Sequence, residues 1–65
     1  MYAIKNKRTK KWLYGTDFSR WPHIQFTSED RALLWDDEER AAYEFKHRQC
    51  GKSYEVVPVR LEVLE

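Results

Sequence analysis

The sequence predicts an α+β fold, a small twisted antiparallel sheet with one helix packed on one face, in the order β-β-β-β-α-β. Several short segments alternate apolar and polar residues with the two-residue period of a strand. Residues 37–49 have the composition and the flanking residues of a single helix. A chain of 65 residues leaves no room for a second domain, so residues 1–65 are expected to form one.

The first two strands are predicted to form a hairpin. Residues 2–5 alternate as a short strand, and the polar, cationic stretch 6–10 is typical of a turn. Residues 11–14 then form the return strand, which is expected to end at residues 15–17, Gly-Thr-Asp.

A loop and a third strand follow. Pro22 argues against a central strand, so residues 17–23 are expected to be a loop. Residues 23–27 alternate again, with Ile24 and Phe26 on one face.

Residues 28–35 allow two interpretations. Residues 28–31 are either a turn leading into a strand over 32–35 or the cap of a short helix running through Trp35. We favour the turn, because residues 32–35 are few and a second helix-start signal follows at once.

The helix over about 37–49 has a clear start. Four consecutive acids at 36–39 supply an N-cap carboxylate with Glu three residues later, the spacing of Asp36 and Glu39, and acidic residues in the first turn. Three basic residues at 46–48 complement the dipole at its other end, and Gly51 is expected at the C′ position. The predicted apolar stripe consists of Ala41, Ala42 and Phe45, extended by Cys50.

Residues 54–64 are predicted to form the last strand. Pro58 lacks an N–H, which places this strand at an edge of the sheet or requires a bulge there. The residues expected to share one face are Val57, Val59, Leu61 and Val63.

The composition argues against several classes of protein. One cysteine forms no internal disulfide, and no apolar run approaches the ~18 residues of a membrane span. The first residues lack the apolar stretch of a secretory signal, which predicts a cytoplasmic protein with Cys50 reduced.

Catalytic patterns are weak. Cys50 lies three residues after His47, a spacing that could activate a thiol, but a half-buried cysteine beside a dipole-complementing histidine explains both residues more simply. The acids at 36–39 are better explained as a helix cap than as metal ligands or acid–base groups. We therefore predict no enzyme, no catalytic residue, no metal site and no cofactor.

Charge is unevenly distributed along the chain. Residues 1–20 hold six cations and one acid, whereas residues 21–50 hold four cations and seven acids. The basic hairpin could bind nucleic acid, although the isoelectric point of about 7.9 lies below the values above 9 typical of such domains. The residues of this alternative site are Lys5, Lys7, Arg8, Lys10, Lys11 and Trp12.

Aromatic residues are more numerous than a thin core can hide. If one sheet face is left open, some of them remain exposed, and aromatics with arginine form interface anchors. The loop 17–23 could instead fold over the open face as a lid that buries Trp21, and both interpretations stay open. The predicted partner-binding residues are Trp12, Tyr14, Phe18, Arg20 and Trp21.

Four segments carry a family resemblance. They are Tyr-Ala-Ile at 2–4, Lys-Lys-Trp-Leu-Tyr-Gly-Thr-Asp at 10–17, the step from Ala32 to Ala41 through Trp-Asp-Asp-Glu-Glu, and Tyr-Glu-Val-Val-Pro-Val at 54–59. Together they resemble small uncharacterised proteins of bacteriophages and prophages. The step from Trp35 into the acid-capped helix also resembles the DNA-binding sheet domain of phage integrases, although a further strand follows the helix here and the glycine-rich turn is missing.

The phage resemblance implies a protein that binds and blocks, or redirects, a host protein, host defence systems included. We therefore predict a non-enzymatic, phage-encoded binding module in the host cytoplasm, either a monomer or a homodimer. Its predicted partner is a host protein that it inhibits or modulates, and nucleic acid is the alternative. No membrane association is predicted.

Overall fold

The computed structural model describes residues 1–60 and confirms the α+β class. A four-stranded antiparallel sheet has the strand order β3-β2-β1-β4, and one helix packs against β1 and β4. The elements are β1 (Tyr2–Asn6), β2 (Trp12–Asp17), β3 (Ile24–Ser28), α1 (Glu38–His47) and β4 (Tyr54–Pro58).

A tight turn over residues 7–10 joins β1 to β2. The Asn6 side-chain Oδ1 accepts hydrogen bonds from the backbone N–H groups of Arg8 and Thr9, at 2.9 and 3.0 Å. Lys10 closes the turn at φ 65°, in the left-handed region. Asn6 is thus a local determinant of the turn, as asparagine side chains often are.

The strand β2 runs further than the sequence predicts. Gly15 does not end it, because a register shift between Leu13 and Gly15 lets β2 continue to Asp17 beside β3. Gly15 lies opposite Phe26 in the sheet. The extra residue of a bulge is accommodated without breaking the pairing of the two strands.

The segment over residues 32–35 does not form a full strand or a helix. Trp35 makes one antiparallel bridge with Tyr2, in which each N–H donates to the other's carbonyl at 2.9 and 2.7 Å. Leu33 N–H donates to the Leu13 carbonyl at 3.0 Å. The strands β1 and β2 pair in register beside their turn and diverge beyond it. This segment then provides hydrogen-bond partners for the backbone groups of Tyr2 and Leu13 that the other strand does not reach.

The helix begins within the run of acids at Glu38, one residue after the predicted start at 37, so the N-cap is not Asp36, the acid that has Glu three residues later. Asp37 is the N-cap, and its side chain accepts the backbone N–H of Glu39 at 3.0 Å. The face turned to the sheet differs from the predicted stripe, because Ala42 is exposed whereas Ala41 and Glu44 are buried.

The end of the helix corrects another prediction. Gln49, not Gly51, follows the C-cap in the left-handed conformation, with φ 55°. Its N–H donates to Lys46 O at 3.1 Å, and Cys50 N–H donates to Phe45 O at 3.2 Å. This is the Schellman pattern, and it turns Cys50 back into the core.

The core lies between α1 and the middle of the sheet. Among the described residues, the large side chains that are fully buried are Ile4 and Leu13. Cys50 completes the buried cluster, and the side chains packed around it are Trp35, Phe45, Tyr54 and Val56.

The strand β4 ends earlier than predicted, at Pro58. It lies at one edge of the sheet, which is the first of the two alternatives that Pro58 left open. Val59 N–H donates to Met1 O at 2.8 Å, although Val59 is no longer in the strand. Of the residues predicted to share a face, Leu61 and Val63 lie outside the described residues.

Candidate interaction surface

The loop between β2 and β3 packs against the end of α1. The Phe18 ring lies 5.3 Å from the His47 ring, and the Arg48 guanidinium lies 5.6 Å from the Phe18 ring centroid. Trp21, on the same loop, is 75% exposed. The hypothesis of a lid that buries Trp21 is therefore wrong.

Rings from this loop and from α1 form a continuous chain, which we call the ring surface. Phe18 contacts His23 at 5.1 Å between centroids, and His23 contacts Trp21 at 5.5 Å, both edge to face. On the helix, Tyr43 stacks on His47 at 5.7 Å with an interplanar angle of 9°. The ring surface consists of Phe18, Trp21, His23, Tyr43 and His47.

The ring surface is both accessible and flanked by cations. Tyr43 is 58% exposed, and the Arg40 guanidinium lies 5.8 Å from its ring centroid. The Arg20 side chain, next to Trp21, is 70% exposed. Exposed aromatic rings beside arginines have the composition of interface hot spots.

Short-range hydrogen bonds shape the loop. Asp17 accepts hydrogen bonds from the backbone N–H and the hydroxyl of Ser19, and these bonds lower the pKa of Asp17. Arg20 lies 3.7 Å from the Asp17 carboxylate, and its carbonyl is 2.9 Å from His23 Nδ1. The Trp21–Pro22 peptide is cis. The hydrogen bonds of Asp17 and His23 give the loop a defined course although its surface is exposed.

A half-buried polar network holds α1 against β2 and β3 beneath the ring surface. Arg48 donates from Nε to Glu44 Oε1 at 3.1 Å and from Nη1 to Thr16 Oγ1 at 3.0 Å. Thr16 Oγ1 donates to Gln25 Oε1 at 2.7 Å, and Gln25 Nε2 donates to the Arg48 carbonyl at 2.6 Å. We call these four residues the polar network.

Glu44 is the most buried charge of the described chain, with 9% of its surface exposed. Its second carboxylate oxygen lies 3.5 Å from Arg40 Nε, so a cation lies on each side of it. No buried side-chain polar atom in residues 1–60 lacks a partner. A fully satisfied network of this kind fixes geometry, and it holds the two halves of the ring surface together.

Two of the predicted partner-binding residues lie elsewhere. Trp12 faces the open side of the sheet, where Lys5 Nζ lies 5.0 Å from its ring centroid. Tyr14 is paired with Phe26 at 6.2 Å. The structure therefore brings Phe18, Arg20 and Trp21 together, whereas these two aromatics make their contacts on the sheet. Trp12 also borders an apolar groove of about 150 Å³ formed with Ala3, Ala32, Leu34, Val59 and Arg60.

The residues predicted for nucleic-acid binding differ in their exposure. Lys7, Arg8 and Lys10 are exposed on the turn, whereas Lys5 and Lys11 are half-buried. Trp12 is half-buried, and Lys5 occupies one face of its ring. Only the exposed turn is therefore fully open to phosphates.

Three members of the ring surface were missed by the sequence analysis. Tyr43 and His47 are four residues apart on α1, a spacing that places side chains on the same helix face. The same spacing connects Glu44 to Arg40 and to Arg48. His23 carries no comparable signal, because its contacts depend on how the loop folds.

The thiol of Cys50 is buried, and burial disfavours the thiolate, which is the nucleophilic form of cysteine. Burial raises the pKa of Cys50 to about 11, although the nearby charge of Arg48 lowers it. The thiol is thus protonated near neutral pH, and His47 stacks on Tyr43 at the surface. Among residues 1–60, no group of three or more His, Cys, Asp or Glu side chains could hold a metal ion.

Comparisons of the chain with protein-family models, curated proteins and solved structures give no match. Within the described part of the chain, no helix is long and apolar enough to cross a membrane.

Proposed function

We propose that this protein is a non-enzymatic binding module that acts by protein–protein contact through its ring surface. The observation that carries the proposal is the exposure of Trp21 at one end of a chain of rings whose positions are fixed by the fold. An indole that is three-quarters exposed presents a large apolar surface to water, and removing that surface from water in a complex favours binding.

The resemblance to phage proteins favours a partner from the bacterial host of the phage. The module would inhibit or redirect this host protein. Arginines beside the ring surface favour a partner whose contact surface carries acidic groups, since complementary charge steers association. The binding energy is expected to come mainly from the rings, because exposed ion pairs contribute little.

The test is affinity capture from a bacterial lysate followed by quantitative mass spectrometry. A genuine partner is retained by the wild-type chain and reduced at least about tenfold, a loss of ~1.4 kcal/mol, by Trp21→Ala and by Tyr43→Ala. These two variants lie on different elements, so a shared loss identifies one continuous surface. Tyr14→Ala removes an exposed ring of the sheet and is the matched control.

The proposal fails if the three variants capture the same proteins as the wild type. It is also wrong in its choice of surface if Tyr14→Ala loses the partner while Trp21→Ala retains it. In both cases, circular dichroism spectra establish that each variant is folded before its capture result is used.

Nucleic-acid binding by the basic turn is the second candidate, supported by the exposure of Lys7, Arg8 and Lys10. Binding through phosphates predicts that affinity for DNA falls steeply with salt. Changing these three residues to Glu should then abolish binding, whereas Trp21→Ala should leave it unchanged. Absence of DNA binding at low salt would remove this candidate.

A further inference from the structure

The interior of this protein is small for a chain that folds alone. Within residues 1–60 the large side chains that are fully buried are Ile4 and Leu13, while eight large hydrophobic residues are 39% exposed or more. Chains of this length often gain the missing burial from a disulfide, a metal or association with another chain. Cys50 is free, and the described residues hold no group that could bind a metal.

The two edges of the sheet differ in how they are protected. The edge strand β4 carries Glu55 and ends in Pro58, residue types that discourage pairing with another strand. The edge strand β3 has the sequence Ile-Gln-Phe-Thr-Ser, with no charge and no proline. An unprotected edge strand offers a row of backbone groups to another strand.

The hydrogen bonds show which backbone groups of β3 point outward. Leu13 accepts a hydrogen bond from Leu33, so the backbone groups of Leu13 face away from β3. Leu13 and Thr27 are directly opposite each other, and they therefore form a non-hydrogen-bonded pair. The N–H and C=O of Thr27 thus point to the open edge, and alternation along the strand places those of Gln25 there too.

We propose that β3 pairs in antiparallel fashion with β3 of a second copy of this chain, about a two-fold axis at Phe26. Phe26 is the central residue of the five, so this register brings Gln25 of each copy opposite Thr27 of the other. Both residues have outward backbone groups, and they exchange N–H···O bonds on each side of the axis. The contact is self-complementary, as a two-fold interface must be.

The open face of the sheet supplies the apolar part of this contact. Phe26 is 42% exposed and Ile24 is 39% exposed, and Tyr14 lies beside Phe26. In the proposed register the two Phe26 residues face each other as a non-hydrogen-bonded pair, in which side chains are closest. Aromatic pairs across strands are among the stabilising ones. A net charge of +1 adds little repulsion between copies.

The test is sedimentation velocity of the full chain from about 10 μM to 1 mM, the range of weak to moderate affinities. The wild type should shift towards twice its mass of 8.0 kDa as concentration rises. Thr27→Pro removes an N–H that β2 does not use and should weaken association at least about tenfold. Phe26→Lys places like charges opposite each other and should have a similar effect. Ala42→Lys, at an exposed helix position outside the ring surface, should associate like the wild type.

Crosslinking tests the register without depending on the folding of those variants. Phe26→Cys should form a crosslinked dimer with a short thiol reagent, because its counterpart lies directly across the axis. The wild-type chain should not, since Cys50 is buried and its pKa is raised to about 11.

A wild type that stays monomeric at 1 mM would overturn the proposal, as would a dimer unaffected by a folded Thr27→Pro chain. Absence of a Phe26→Cys crosslink would overturn the register. The ring surface is tested separately by Trp21→Ala and Tyr43→Ala, which leave β3 intact.

Discussion

The helix is held to the sheet by two regions of opposite chemistry. Over β1 and β4 the contact is apolar, with Phe45 and Cys50 packed around Ile4. Over β2 and β3 it is the polar network, in which Arg48 reaches Thr16 while Glu44 lies buried beside it.

The difference shows how a thin domain fixes the position of its helix. Apolar burial is non-directional, so it holds α1 down without determining where its end lies. Hydrogen bonds require defined distances and angles, so the polar network sets the position of the end of α1 relative to β2 and β3. The ring surface crosses this same junction, and its geometry depends on the network.

The largest expected effect comes from breaking the apolar region. Leu13→Ala leaves a cavity where the side chain is fully buried, and it should lower the free energy of unfolding by about 3 kcal/mol. Urea denaturation followed by tryptophan fluorescence measures this loss. Leu34→Ala, at an exposed position, should cost under ~1 kcal/mol. Equal losses would show that Leu13 is not part of the core.

Breaking the polar network should cost somewhat less. Arg48→Met removes the cation that donates to Glu44 and Thr16, and we expect a loss of about 2 kcal/mol, because Arg40 still lies beside Glu44. The double variant Glu44→Met/Arg48→Met should lose less than the two single variants together, since no buried charge is left unpaired. Strict additivity in urea denaturation would contradict a coupled network.

Two substitutions at the end of the helix should change the stability of the fold by smaller amounts and in opposite directions. Gln49 has φ 55° and Gly51 has φ 77°, both in the left-handed region. Gln49→Gly should therefore stabilise the fold by about 1 kcal/mol, while Gly51→Ala should destabilise it by about 1 kcal/mol. Thermal denaturation by circular dichroism gives both values. A change of the same sign in both variants would show that backbone strain does not govern this turn.

The smallest effect concerns the pH dependence of stability. The pKa of Cys50 is raised from 9.0 to about 11 in the folded chain, so the folded state holds its proton more tightly than the unfolded state does. The contribution of Cys50 to the free energy of unfolding is therefore at its full value below pH 9 and decreases as the pH rises towards 11. Between pH 7 and 9.5 the loss should be under ~1 kcal/mol.

The control for this titration is Cys50→Ala, which keeps the contributions of lysine and tyrosine titration. The wild-type minus Cys50→Ala difference in urea stability should shrink as pH rises. A constant difference would contradict a raised pKa at this position.

Much of the fold follows from patterns within a few residues of each other. The N-cap at Asp37 depends on its own side chain and on the backbone N–H of Glu39, so the sequence locates the helix start to within one residue. Pro58 lacks an N–H in any fold, which is why the sequence narrowed its place to an edge strand or a bulge, and the structure has the edge. For the candidate site, the sequence named Phe18 and Trp21 as partner-binding residues but left open whether the loop buries Trp21, and it did not pair them with Tyr43 and His47.

The failed predictions share a dependence on contacts between distant residues. Residues 32–35 lack a full strand because Trp35 pairs with Tyr2 and Leu33 bonds to Leu13, which no local pattern encodes. By propensity Gly51 was the better candidate for the C′ position, yet C′ falls at Gln49, and Gly51 takes a second left-handed conformation two residues later.

The sequence by itself determined the class of fold, the start of the helix and the hairpin turn, because each is governed by side chains and backbone groups close along the chain. Only the tertiary structure decided where the loop lies, which helix face is buried and which rings meet. Those outcomes depend on Thr16, Gln25 and Arg48 coming together across up to 32 positions of sequence. Such contacts form only when whole elements pack, so their free energy cannot be assigned to any single segment.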